Sequence, residues 1–198
     1  MTITYKIGNS LYVNMTNRCS NRCDFCIRNN SDTVGDSGSL WLDHEPTVQE
    51  AADDIVKNAP GCKEIVFCGY GEPLIRLQEI VGVIQKVKPV LNLPVRINTN
   101  GQADLIHGRE TAKELEGLVD TVSISLNAPD ARGYEQICHS DYGEAAFDAI
   151  IRYAGDVKQY VPHVVFSVVD VMPAADIEKC RAIADKAGVS FRVREMIE

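Results

Sequence analysis

No run in this chain of 198 residues approaches the roughly 20 consecutive apolar positions that a membrane-spanning helix needs. The opening MTITYKIGNS holds no apolar signal core, so a cytoplasmic protein is expected. Basic residues are in deficit: 20 Lys and Arg stand against 28 Asp and Glu, for a net charge of −8. Non-specific binding to nucleic acid or to an anionic membrane depends on basic patches and is thereby disfavoured; a locally basic pocket is still allowed. Internal repeats and low-complexity tracts are absent. Cysteine is plentiful, at seven. In a cytoplasmic chain such cysteines are expected to be reduced, buried or metal-bound, not paired in disulfides. Hydrophobic residues make up 45% and charged residues 24% of the sequence, a balance that supports one soluble domain over residues 1–198.

Two patterns alternate along the chain. Short β-branched apolar runs occur at residues 10–15, 64–68, 95–99, 121–126, 163–171 and 190–196, and predict six strands. Segments with helical spacing lie between them. Residues 47–59 open on Thr47, with Glu50 three positions on as a capping box. Residues 73–87 begin with Pro73, suited to a first helical turn. Residues 110–118, 142–157 and 173–188 follow, the last closed by Gly188. Strands alternating with helices give βαβ units, a parallel sheet covered by helices on one face and filled on the other, and a site at the strand C-termini. Each unit takes about 30 residues, so six fit where the eight of a closed barrel do not. The first interval is outsized. It contains NMTNRCSNRCDFCIRN and then the polar NNSDTVGDSGS, which reads as a mobile loop over residues 29–39.

Cys19, Cys23 and Cys26 fall within eight residues, and no fourth cysteine follows nearby. Structural zinc takes four ligands, usually as two close pairs; His44 and His139 are not at such spacing. A ferredoxin-like electron-transfer or sensing module would supply four thiolates. Three thiolates on a cubane iron–sulfur cluster leave one iron without a protein ligand, open to a small molecule. A cluster that binds a small molecule at its open iron, a non-catalytic iron–sulfur module and a zinc-stabilised domain all stay open on the spacing alone.

The Cys-x3-Cys-x2-Cys spacing, with Phe25 before the last cysteine, resembles the radical S-adenosylmethionine (SAM) superfamily. More narrowly YVNMTNRCSNRCDFCIRN, GYGEP, NTNG and VSISLNAPD resemble its TatD-associated members. The resemblance covers essentially the whole chain. It implies a partial (βα)6 TIM-like barrel, with Cys19, Cys23 and Cys26 holding a [4Fe-4S] cluster whose open iron binds SAM. Reductive cleavage of SAM would then give a 5′-deoxyadenosyl radical that abstracts hydrogen from a substrate. It further implies a reductant such as flavodoxin or ferredoxin, and association with a TatD-type hydrolase.

Other site residues follow from the same resemblance. GYGEP matches a Gly-Gly-Glu turn that contacts the SAM amino group. Gly69 and Gly71 allow close backbone approach, and Glu72 can accept from an ammonium; Tyr70 departs from the small residue common there. Asn98 and Asn100 put polar side chains at the end of the third expected strand. Ser125 and Asn127, expected on one side of the fourth, match ribose or carboxylate contacts. Arg194, sharing a strand face with Arg192, suits the SAM carboxylate. Cys62, Cys68 and Cys180 read as packed thiols. Cys138, within residues 134–142, is expected on the rim as a catalytic hydrogen donor or substrate contact. Cover for the open side is expected from residues 29–39 with Trp41, closing as a lid, or else from a macromolecular partner or protein substrate docked there.

Overall fold

The six expected strands all form, and a seventh precedes them. In the computed structural model, which describes residues 1–196, β1 (Thr4–Ile7) pairs antiparallel with β2 (Ser10–Val13). The expected domain span of 1–198 thus includes two residues, Ile197 and Glu198, outside the described ones. Then come β3 (Glu64–Phe67), β4 (Val95–Thr99), β5 (Thr121–Ser125), β6 (His163–Val169) and β7 (Ser190–Arg194), each parallel to the strand before it. The sheet order is the chain order, β1 to β7. Successive parallel neighbours joined by right-handed crossovers put every helix on one face and curl the sheet toward a barrel. With β1 and β7 as its two edges, the barrel stays open.

The helices are α1 (Val48–Asn58), α2 (Leu77–Val87), α3 (Ala103–His107), α4 (Ala131–Cys138), α5 (Ala145–Val157) and α6 (Ala174–Ala187). Their apolar spacing explains their seating: α2 buries Leu77, Ile80, Val83, Ile84 and Val87 on one stripe. The capping box at α1 is present, with Thr47 Oγ1 accepting from Glu50 N and Glu50 Oε2 accepting from Thr47 N. On the sheet, Val13, Phe67, Ile97, Val122 and Val164 share one row of the register and face the helices. The opposite face is not filled by apolar residues as expected. It alternates to polar ones, among them Glu64, Arg96, Asn98, Ser125, Ser167, Arg192 and Arg194.

Three local differences have identifiable causes. The β1–β2 hairpin turns on Gly8-Asn9, with Gly8 at a φ of +57°, as the first central residue of a tight hairpin requires. Residues 110–118 form only a 3-10 turn, Ala112–Leu115, and the helical residues sit earlier, in α3. Helix α4 overlaps the start of the segment read as a rim; Asp130 caps it by accepting from Gly133 N at 2.8 Å.

Candidate functional site

The cysteine loop leaves the C-terminal end of β2 and is gripped from two sides. On one side, Glu72 N donates to Arg18 O at 2.8 Å. On the other, Arg22 N donates to Cys138 O at 2.9 Å, Asp24 N to Ile137 O at 3.0 Å, and Asp141 N to Ser20 O at 2.8 Å. The last carbonyls of α4, which have no intrahelical partners, are thus capped by the amides flanking Cys23. The Arg22–Asp141 ion pair (2.6 Å) and the contact of His139 Nε2 with Asp24 Oδ1 (2.9 Å) reinforce the seam. Arg28 reaches back to the carbonyls of Asn17, Tyr70 and Asn21 at 3.3, 3.4 and 3.4 Å. Burial pushes the Cys19 thiol up to about 12 and raises Cys26, while the positive charge of Arg28 draws all three thiols toward the thiolate. The neighbouring Cys138 thiol holds Cys23 below its ordinary value and is itself pushed up.

The Gly-rich turn after β3 is close-packed against this loop. A Cβ on Gly69 would lie 2.0 Å from Asn14 Oδ1, and one on Gly71 would lie 2.4 Å from the carbonyls of both Thr16 and Arg18. The close approach these glycines permit is therefore that of the cysteine loop's own stem. Glu72 is 3% exposed. Its Oε1 accepts from Leu74 N (2.9 Å) and Thr99 Oγ1 (2.7 Å), and its Oε2 from Asn100 N (2.7 Å). Burial nevertheless pushes its carboxyl up to about 7, with these three bonds pulling the other way. What Glu72 keeps for a ligand is one further acceptor position on Oε2.

The other expected site residues divide into three places. Asn98 lies on the concave face of the sheet and accepts from Arg96 Nη1 at 3.2 Å. Asn100 is buried and turned inward, its Nδ2 donating to Ser20 Oγ at 2.8 Å. Ser125 faces Arg194, whose Nη2 stands 3.5 Å from its Oγ. Arg194 Nε is buried with no hydrogen-bond partner among the described residues. Asn127 does not share that side: the strand ends at Ser125, and Asn127 takes a φ of +54°. It lines a cavity of about 480 Å³ with Phe25, Ala128, Ile137, Met172 and Met196. Its Oδ1 is buried and unpartnered among the described residues.

Two expectations about the rim are corrected. Cys138 is fully buried and does not line this cavity; its thiol lies 4.0 Å from Asn127 Nδ2 and beside Cys23. The cause is helical spacing, since Tyr134 and Cys138 are four residues apart on the inward face of α4. Residues 29–39 do not line the cavity; they are mostly exposed and are anchored at Val34 and at Leu40 just after them. Val34 and Leu40 are buried with Tyr5 and Tyr70, Asn14 Nδ2 donates to Leu40 O at 2.6 Å, and Trp41 sits edge-on to Tyr70 at 5.1 Å. Cys62 and Cys180 lie elsewhere: Cys180 is buried in α6, and Cys62 donates to Asn58 O at the end of α1. Cys68, at the end of β3, stands beside Asn98 and Arg194, and burial raises its thiol.

Three thiols on one loop are a donor set of the kind a three-thiolate cluster takes. Among the described residues no three His, Cys, Asp or Glu side chains converge tightly enough to hold one metal ion. The three thiols sit on one loop beside a cavity with an unpartnered Asn127 oxygen, while Arg194 offers an unpartnered nitrogen on the concave face. Fold and site together define an open, mostly parallel α/β barrel with a three-cysteine loop after its first parallel strand.

The chain belongs to the radical SAM superfamily, whose sequence profile matches residues 13–187. Enzymes of this superfamily use a [4Fe-4S] cluster and SAM. Among curated proteins it is 27% identical over 155 residues to a probable GTP 3′,8-cyclase of Thermococcus kodakarensis, covering 75% of this chain and 46% of that protein. To the GTP 3′,8-cyclase of Streptomyces coelicolor it is 30% identical, covering 62% of this chain and 34% of that one. The chain thus spans less than half the length of these relatives. Solved structures with the same fold include TYW1 with a lysine-pyruvate adduct bound, with a TM-score of 0.67 and 14% identity over 96% of this chain and 65% of that one. Another is SuiB of Streptococcus suis bound to S-adenosylmethionine, with a TM-score of 0.65 and 18% identity over 94% of this chain and 38% of that one. No helix among the described residues is long and apolar enough to cross a membrane.

Proposed function

We propose that Cys19, Cys23 and Cys26 hold three irons of a [4Fe-4S] cluster and leave the fourth for SAM, and that the chain uses SAM to abstract hydrogen from a substrate. The observation that carries this reading is the three-thiol loop lying against a 480 Å³ cavity that Phe25 and Asn127 line. When bound and reduced by an external donor, the cluster would supply the electron for reductive cleavage of a C–S bond of SAM. The chain's own residues bind and orient SAM. Phe25 and the apolar wall of the cavity exclude water around the adenosyl part, and Asn127 Oδ1 accepts from it. The Gly69–Gly71 turn and the free acceptor position of Glu72 Oε2 face the amino group. Arg194, with Ser125, takes the carboxylate as a charge-assisted pair. Asn98 and Asn100 hold the rim of the third parallel strand.

An electron donor of the flavodoxin or ferredoxin kind and a cytoplasmic location complete the reading. The quoted motifs support a place among the TatD-associated members, with a TatD-type hydrolase as partner. GTP is not proposed as the substrate, because the likeness covers under half of the cyclases.

The test is anaerobic reconstitution followed by reduction with dithionite in the presence of SAM. Release of 5′-deoxyadenosine and methionine is expected; a chain that binds four irons yet neither binds nor cleaves SAM overturns the proposal. In the same preparation Arg194→Ala should raise the SAM dissociation constant about 10- to 100-fold, the equivalent of losing one charged hydrogen bond. An unchanged constant would take Arg194 out of the site.

A further inference from the structure

A glutamine with no exposed surface sits at the entry to α3, and every hydrogen-bonding position of its side chain is used. Gln102 Oε1 accepts from Ser20 Oγ at 2.9 Å and from Ser140 Oγ at 3.1 Å. Its Nε2 donates to Asn21 Oδ1 at 2.8 Å and to Tyr134 OH at 3.0 Å. A primary amide has two acceptor lone pairs and two N–H donors, so this one is saturated. The partners come from three separate segments: the cysteine loop, α4, and the turn that follows α4. Two further bonds close the network, Asn21 Nδ2 to Tyr134 OH at 2.8 Å and Asn100 Nδ2 to Ser20 Oγ at 2.8 Å. All six side chains are buried.

The two loop residues that Gln102 holds, Ser20 and Asn21, are the ones that follow Cys19 and precede the Arg22–Cys23 pair. Asn21 N lies 3.4 Å from Cys19 Sγ and donates to it. With both side chains of the 20–21 pair anchored, the peptide that carries this N–H cannot rotate away. Hydrogen bonds from backbone amides to cluster sulfurs stabilise the more negatively charged, reduced state of an iron–sulfur cluster. Outer partners that orient the first ligands also set how tightly the metal is held.

We propose that Gln102 is the positioning residue of the cluster loop: it fixes Ser20 and Asn21, keeps the Asn21 N–H aimed at the Cys19 sulfur, and thereby sets the reduction potential and retention of the cluster. Gln102 touches no cysteine and acts only through its neighbours. The inference rests on the reading of Cys19, Cys23 and Cys26 as cluster ligands.

The experiment uses the full chain, reconstituted anaerobically, and compares the parent with Gln102→Met and Ser20→Ala. Methionine keeps the length of the side chain and removes all four bonds. Ser20→Ala removes one of the hub's bonds and leaves Gln102 in place, so it reports even if Gln102→Met does not fold. Two quantities are read: the midpoint potential from an EPR-monitored redox titration, and the rate at which an iron chelator strips the cluster. Gln102→Met is expected to move the potential to more negative values and to speed iron loss about 10- to 100-fold. Ser20→Ala should move both in the same direction by less. If both variants keep the parent's potential and iron retention, whatever their thermal stability, Gln102 is a packing residue and the inference is overturned. A parent that takes up no iron overturns the three-cysteine reading, and this inference with it.

Discussion

Alanine in place of any one of Cys19, Cys23 or Cys26 is expected to reduce bound iron from about four atoms per chain, the content of a cubane, to nearly none, with loss of the brown chromophore. Each ligand removed leaves two irons without protein bonds, and a cluster held by two thiolates has no route to completion on this loop. The informative comparison is Cys138→Ala. The Cys138 thiol lies beside Cys23, which makes it the natural fourth ligand if the site were closed like that of an electron-transfer module. On the three-cysteine reading Cys138→Ala retains its iron and its SAM cleavage. Loss of iron equal to that of the three loop variants would turn the site into a four-thiolate one and remove the open position on which SAM binding depends. Cys62→Ala and Cys180→Ala serve as controls, since Cys62 bonds to the end of α1 and Cys180 is enclosed by α6.

What the sequence made legible is what its residues encode locally. The three cysteines, the Gly-Glu turn and the six parallel strands each depend on spacing or composition within a dozen residues. The β1–β2 hairpin is equally local, signalled by Gly8-Asn9 between two short alternating runs, but it falls outside the βαβ rhythm of the rest of the chain. Residues 29–39 are polar enough to pass for a mobile loop, and two apolar side chains at the right places, Val34 and Leu40, are sufficient to pin them against Tyr5 and Tyr70. Cys138 reads as exposed in a segment rich in polar residues until α4 is recognised, when its four-residue offset from Tyr134 turns it inward. The Gln102 hub is out of reach of the sequence altogether. Its partners are 82, 81, 32 and 38 residues away along the chain, so only the folded sheet brings them together.

The same tertiary logic governs Glu72, whose effect on stability is expected to depend strongly on pH. In the folded chain its buried carboxyl is pushed up to about 7, against the ordinary value of 4.5 that the unfolded chain provides. The folded state therefore binds this proton more tightly than the unfolded state. Folding takes up a proton between those two values, and stability falls as the pH rises through them. Each tenfold difference in proton affinity is worth about 1.4 kcal/mol, so the metal-free chain is expected to lose roughly 3 kcal/mol from this group between pH 4.5 and pH 8. In Glu72→Gln the amide oxygen can still accept from Leu74 N and Thr99 Oγ1, but its NH2 group meets the Asn100 N–H, which is left without an acceptor. That orphaned donor costs about 1–3 kcal/mol at every pH. The variant should therefore be the less stable protein at pH 5 and close the gap by pH 8, because it carries no charge to bury. Urea unfolding of both proteins at several pH values measures the difference directly, and other titrating groups cancel in the comparison. Parallel profiles would show that Glu72 titrates as an ordinary carboxylate. Converging ones would show that a charge is held in the core at neutral pH, where it ties the Gly-rich turn to the end of β4 and stands beside Cys19.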